Sequence, residues 1–310
     1  MPIHNRRPPA SGLRTTDRAP ADALSTRDTR EASDAAGAQV LRAPDGMAIN
    51  TPAAAAPQPL SRKKLIEVAK KADVPQRVQQ GPTCGLYALG MVLDKWHADD
   101  PSNATALVLD KDLGGKGTNY NFEPTTSERI FDVAKKAGFT ATGEMFTARQ
   151  LAQTAAHFGY KASCHEDATL EKLYEVVDAG HPAIVAFDVD YNGNPGDYQG
   201  KRAHYAVITG YFDEGGERYL IARHGWGREK DHIWRARDFD TSWKALKITD
   251  YYGRPGDGVI PDSNEPEPAL LNLPPVGDRY ADIERALATK IVEVVPQDEA
   301  LVGGDVVGPA

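Results

Sequence analysis

Cys84 stands in the run Gln79-Gln80-Gly81-Pro82-Thr83-Cys84-Gly85, directly ahead of a stretch in which Leu86, Leu89, Val92, Leu93 and Trp96 recur every three or four residues. That spacing predicts a helix with one buried face, and Gly81 and Pro82 interrupt whatever precedes it, so Cys84 falls in the first helical turn. Unpaired backbone N–H groups and the positive end of the helix dipole there favour a thiolate over a thiol. A free cysteine titrates near about 8.5, so stabilising its anion is the first requirement for nucleophilic chemistry at neutral pH. Taken alone, Cys84 also reads as a small core residue near a helix start.

A thiol nucleophile needs a base. The run His204-Tyr205-Ala206-Val207-Ile208-Thr209-Gly210-Tyr211 is rich in β-branched and aromatic residues, and a turn at residues 213–217 leads to a second strand over 219–223. The two pair as a hairpin, and the second strand ends in His224-Gly225-Trp226-Gly227.

Here the sequence resembles papain-type cysteine peptidases, whose histidine strand begins His-Ala-Val and whose next strand ends Asn-Ser-Trp-Gly. The order glutamine, cysteine, histidine, Trp-Gly is kept. Within that clan the runs Gln79 to Gly85, Gly143-Glu144-Met145-Phe146, His181-Pro182 with Asp188-Val189-Asp190, Lys201-Arg202-Ala203-His204, His224-Gly225 and Ile233-Trp234 are similar to the pattern of the actin maturation protease family. The similarity covers about residues 75–250, with residues 291–296 as a further match. It implies an aminopeptidase-like enzyme related in fold to bacteriocin-processing peptidase domains.

The roles follow from chemistry and resemblance together. His204 takes the Cys84 proton and later returns one to the leaving amine, a transfer typically contributing about 10²–10⁴-fold in rate. Gln79 matches the glutamine that, with the Cys84 backbone N–H, stabilises the oxyanion, and Gln80 is the alternative if the loop register differs. Papain places asparagine where this chain has His224. A neutral histidine can accept from His204 through one nitrogen and donate through the other, with Asp188, Asp190 and Asp213 as alternative orienters. Protonation of His224 would remove that acceptor, which predicts a steep acid-side loss of activity. Trp226 covers the two histidines or simply packs in the core. Gly85, Lys201, Arg202, Arg223 and Trp226 are the candidate substrate-contacting residues, with Arg228 and Lys230 extending the basic group. A basic rim of this kind suits an acidic peptide, in keeping with the resemblance, which implies action on the acidic N-terminus of actin; a merely solvated rim is the plainer alternative.

No cofactor or metal is expected. Cys164-His165-Glu166-Asp167 lacks a second Cys/His pair at zinc spacing, His204, His224 and His232 are better explained by the hairpin, and Gly114-Gly115-Lys116-Gly117-Thr118 lacks the full phosphate-loop pattern. His97, His157, His165 and His181 read as surface or helix-end groups. The formal net charge of −8 argues against general nucleic-acid binding.

Around these residues the chain of 310 residues, 41% of them hydrophobic, reads as α+β: helices first, then an antiparallel sheet against which the cysteine helix packs, in a papain-like cysteine protease fold. Helices are predicted from capping and periodicity at 61–69, after Cys84, at 125–134, 147–158 and 169–179, with strands at 182–188, in the hairpin and at 290–295. Residues 1–60 have the composition of a disordered arm, 61–300 form the peptidase domain with a surface excursion at 253–276 and a short helix at 278–288, and 301–310 form a flexible tail. The arm has no apolar run long enough for a secretory signal or membrane span. It resembles the export signals of bacterial type III effectors, which implies a secretion chaperone as partner and a host cytoplasm as workplace; a linker or a mitochondrial-type transit segment fits the same composition. Two cysteines make no disulfide framework, so a reducing compartment suits the nucleophile. A deamidase, transglutaminase or acyltransferase shares the same thioester chemistry, and an inactive binding module is the third class.

Overall fold

The sequence folds around one long antiparallel sheet. The computed structural model describes residues 60–112, 122–140, 142–198, 200, 202–226, 231–247 and 285–310. The N-terminal arm to residue 59, the glycine-rich run at 114–118, the excursion at 253–276, most of the helix expected at 278–288, and Lys201, Arg228 and Lys230 lie outside the described residues.

The elements are α1 (Arg62–Ala69), α2 (Cys84–Asp99), α3 (Ile130–Lys136), α4 (Ala148–His157), β1 (Lys161–His165), α5 (Leu170–Asp178), β2 (Ala183–Asp188), β3 (Ala203–Glu214), β4 (Glu217–Arg223), β5 (His232–Arg235), α6 (Ala236–Ala245), β6 (Ile291–Val295) and β7 (Asp305–Val306). Ser61, Thr147 and Thr169 cap α1, α4 and α5 by accepting from the backbone N–H three residues on, as their sequence positions predict. Helix α3 starts five residues later than the sequence suggests. Thr125 exchanges hydrogen bonds with Thr105 instead of capping a helix, and Arg129 is still extended.

The sheet order is β5-β4-β3-β2-β6-β1-β7, with every pair antiparallel. Strand alternation sorts the side chains into two cores. Ile184, Ala186, Tyr205, Val207, Val292 and Val294 meet α2, α3 and α4 on one face. Ala183, Val185, Phe187, Ala206, Ile208 and Ile291 meet α5 and α6 on the other. Both faces of β2 and β6 are therefore buried, which is why residues 183–187 and every β6 residue but Glu293 are apolar. The result is the expected α+β arrangement, with the cysteine helix laid on an antiparallel sheet. The last residues are not a loose tail: β7 pairs with β1, and the Ala310 N–H reaches the Gln153 carbonyl.

Helix α2 is almost wholly buried, and Leu86, Leu89 and Leu93 each contribute about 1.5–3 kcal/mol from burial. Asp94 on its inner side holds Arg77 through two hydrogen bonds of 2.6 Å, and Arg77 also donates to the Ala106 carbonyl. That buried pair fastens the segment leading to Gln79 onto the helix that carries Cys84.

Candidate active site

Cys84 is the first residue of α2, after Thr83. The Thr83 hydroxyl donates to the Gln80 carbonyl at 2.9 Å and does not cap the helix, so first-turn N–H groups remain for the thiol. The backbone N–H groups of Tyr205, the residue after His204, and of Gly85 and Cys84 itself pull the thiol's titration down. These donors favour the anion, as the sequence suggests. Burial nevertheless outweighs them and pushes the thiol up to about 11, and the nearby Glu144 carboxylate pushes it the same way. Burial thus works against the thiolate that the helix position alone favours.

His204, the second residue of β3, is buried beside Phe187, its partner on β2. Its Nε2 lies 3.1 Å from Nδ1 of His224, with the two rings perpendicular. The Trp226 backbone N–H also points at His224 Nδ1, at 3.3 Å. An amide N–H can only donate, so His224 Nδ1 is the acceptor and carries no proton. His204 must then donate from Nε2, which leaves its Nδ1 unprotonated and able to accept a proton. Burial drives His204 down to about 3, aided by the charge His232 would carry, and drives His224 down to about 2, aided by His204 and His232. Both rings are neutral across the whole physiological range. The Trp226 ring covers His204 at a centroid distance of 4.9 Å while remaining 37% exposed.

The loop between β2 and β3 supports this pair. Asp188 is buried, and its carboxylate accepts from the backbone N–H groups of Tyr198, Gly200 and Arg202. Asp190 accepts from the N–H groups of Asn192 and Asn194, and Asp213 pairs with Arg218. The three aspartates are thus occupied elsewhere, and His224 is the side chain on His204. Gly193 presses against the far side of the imidazoles. A Cβ there would lie 2.8 Å from His232 Cε1 and 3.0 Å from His224 Nε2, and its φ of +83° independently favours glycine. His232 stacks on His224 at 4.0 Å, and Gln76 holds the His224 carbonyl at 2.9 Å.

The remaining expected site residues divide. Gln79 is tied to the residue after His224, its N–H donating to the Gly225 carbonyl at 3.0 Å, while its side-chain amide donates to the Gly81 carbonyl at 3.1 Å. Arg202 is held between two tyrosine rings, 3.7 Å from the Tyr191 centroid and 4.6 Å from that of Tyr198. One expectation fails. Arg223 is completely buried in ion pairs with Asp73 and Asp231, so it is a packing residue and not part of a rim. Gly85 is buried in α2, where a Cβ would meet the Tyr205 ring and Met145. His204, His224 and His232 do not converge on a point, and no group of three His, Cys, Asp or Glu residues suited to a metal ion occurs among the described residues. His165 and His181, expected at the surface, are buried around Glu293 at 2.7 and 2.6 Å.

Sequence reasoning missed Gln76, Gly193 and Glu144. Gly193 carries a faint signal in the turn-rich run Asp190-Tyr191-Asn192-Gly193-Asn194-Pro195, and Glu144 lies in the Gly143-Glu144-Met145-Phe146 run that carries the resemblance but was given no role there; Gln76 carries no signal that spacing could reveal.

A cysteine at a helix start, set against a histidine-bearing strand whose neighbour supplies the orienting side chain, defines the papain-like class. Residues 74–212 match a family model described as actin maturation protease-like, C-terminal domain, so the chain resembles that branch of the class. Actin maturation protease of Mus musculus is 31% identical over 147 residues, 45% of this chain and 34% of the relative. That of Drosophila melanogaster is 33% identical over 156 residues, 49% of this chain and 48% of the relative. The chain thus spans between a third and a half of the length of these relatives. A crystal structure of a C39-like peptidase from Bacillus anthracis aligns over 74% of this chain and 98% of its own, at 14% identity and a TM-score of 0.37.

Proposed function

We propose that this protein is a thiol peptidase in which Cys84 is the nucleophile and His204 the general base. The observation that carries the reading is the shared acceptor at His224 Nδ1, which fixes the His204 proton on Nε2 and leaves Nδ1 to take the thiol proton. Proton transfer from Cys84 to His204 accompanies attack of sulfur on the substrate carbonyl. The oxyanion is met by the Cys84 backbone N–H and the Gln79 amide, which must turn from Gly81 or use its second hydrogen. His204 then protonates the leaving amine, and water, deprotonated by His204, hydrolyses the thioester. His224 positions the base and Trp226 shields it.

The substrate is a protein or peptide. Actin is the first to test, because the relatives are named actin maturation proteases. With Arg223 buried, recognition of an acidic segment rests on Arg202, preorganised between Tyr191 and Tyr198, with its neighbour Lys201. The peptidase domain occupies residues 61–300, and residues 1–60 act as an export arm with its own chaperone, delivering the enzyme to a host cytoplasm. Fusion of residues 1–60 to a reporter tests export separately from catalysis. Among the described residues no helix is long and apolar enough to cross a membrane.

The deciding experiment is intact mass spectrometry of actin and of an acidic N-terminal peptide, incubated with wild type and with Cys84→Ala. Loss of terminal residues with wild type alone supports the reading. A gain of about one mass unit without cleavage identifies a deamidase using the same thioester step, and no change with any substrate leaves a binding module.

A further inference from the structure

Glu144 is a buried carboxylate that no cation among the described residues pairs with, and burial pushes its carboxyl above the usual range. It lies in the loop before α4 and is 7% exposed. Its neighbours fix its position. The backbone of Gly143 lies against Thr83, so closely that a Cβ would come within 2.3 Å of Thr83 Cγ2 and 3.2 Å of the Pro82 carbonyl oxygen. Met145 packs on the other side of the nucleophile, its Cβ 3.3 Å from where a Gly85 Cβ would stand, and its carbonyl accepts from the Tyr205 hydroxyl at 3.0 Å. The residues flanking Glu144 therefore abut the residues flanking Cys84, and the Glu144 charge is felt at the Cys84 thiol.

Thr142 donates its hydroxyl to the Glu144 carboxylate, and no Lys, Arg or His among the described residues pairs with it. Burying a carboxylate without a counter-charge is costly, and such groups beside a nucleophile are commonly functional. We propose that Glu144 is the specificity-determining anion of this site, which receives a positively charged group of the substrate, an ammonium or guanidinium next to the bond that is cut. The proposal rests on the thiol-peptidase reading and adds the substrate class. A bound cation also cancels the field that holds the Cys84 proton in place, so the matching substrate assists ionisation of the thiol that attacks it. Two sources carry this chemistry: the α-ammonium of a free N-terminus and the side chain of Lys or Arg.

Charged methanethiosulfonates test the anion without requiring turnover. The Cys84 sulfur attacks the sulfenyl sulfur of the reagent, a mixed disulfide forms, and methanesulfinate leaves. The full-length protein is treated with the aminoethyl (cationic) or sulfonatoethyl (anionic) reagent, the modified cysteine is located by peptide mass, and rates are normalised to those of free cysteine. Wild type is expected to label at Cys84 about tenfold faster with the cationic reagent, the size of effect one nearby charge produces, and Glu144→Gln to bring the ratio near one. Equal normalised rates in wild type, or a preference that survives Glu144→Gln, overturn the proposal; the wild-type ratio decides even if the variant does not fold. Failure of both reagents to reach Cys84 strikes at the peptidase reading itself and removes the proposal with it. Peptides with free or acetylated N-termini, and with lysine or norleucine beside the scissile bond, then identify the source of the cation. Faster cleavage of one cationic form by wild type but not by Glu144→Gln is expected, and no cationic advantage in either pair overturns the assignment.

Discussion

The ring of His224 stacks on that of His232 with centroids 4.0 Å apart and planes at 28°. A charge on one of two imidazoles in such contact disfavours a charge on the other, and burial already keeps His224 neutral down to about 2. The steep acid-side loss that a titrating His224 predicts is therefore not expected. Asparagine at this position preserves an acceptor and leucine does not. His224→Asn should keep kcat/KM within about threefold of wild type with an unchanged acid limb, and His224→Leu should lower it by about 10²-fold or more. Peptide kinetics across pH 4–8 check both.

Stability carries the same neutrality in a measurable form. In the unfolded chain His204 and His224 titrate near about 6.5, whereas in the fold they stay neutral to about 3 and about 2. Above the unfolded value neither state binds these protons. As pH falls below it the unfolded state gains them first, so stability is lost on acidification by up to about 1.4 kcal/mol per pH unit for each ring. Glu293 adds a loss of the same sign at lower pH: burial raises its carboxyl, but hydrogen bonds from His165, His181 and the Val302 N–H bring it down to about 2. Urea unfolding between pH 7.5 and 4.5 should show the decline, and His204→Gln should reduce its slope.

Because burial sets the resting thiol at about 11, alkylation of Cys84 by iodoacetamide in the substrate-free enzyme should climb throughout pH 7–10 and not level off near neutrality. Cys164, pushed up to about 12 by burial and then by Glu166, should react more slowly at every pH. Quantitative peptide mass spectrometry reads both sites in one experiment.

Gly193→Ala should strain a left-handed backbone position and drive a methyl into His224 and His232. A destabilisation of about 1–3 kcal/mol is expected, with a fall in kcat larger than the change in KM, because the displaced group orients the base. Thermal melting and steady-state kinetics separate the two effects.

Arg223→Met and Arg202→Met should behave differently although both remove an arginine near the site. Loss of Arg223 strands Asp73 and Asp231 and should destabilise the fold by about 3–5 kcal/mol. Loss of Arg202 should leave the melting temperature nearly unchanged and lower kcat/KM for acidic peptides selectively.

The sequence made some of this legible and hid the rest for definable reasons. Capping threonines and helical periodicity marked α1, α2, α4 and α5 because those signals are local. The hairpin carrying His204 and His224 was legible in its turn residues and branched strands. Strand β1 was not: Lys161–His165 is short, and its pairing with β6 spans more than half the described domain. Arg223 looked like a rim residue because charge at a strand end is normally solvated; only the approach of Asp73 from before α2 buries it. The thiol follows the same pattern, since the helix position that favours the anion is local information, while the burial and the Glu144 charge that oppose it come from tertiary packing.

Strand β6 sits between β2 and β1, joining two parts of the sheet that touch nowhere else along their ladders. Residues 74–212 therefore contain the nucleophile and its base but not the strand that sutures the sheet on which they rest. The sheet beneath Cys84 and His204 is closed by a strand that follows His204 by more than eighty positions, so a fragment ending with the hairpin would leave β1 and β2 without the partner that lies between them.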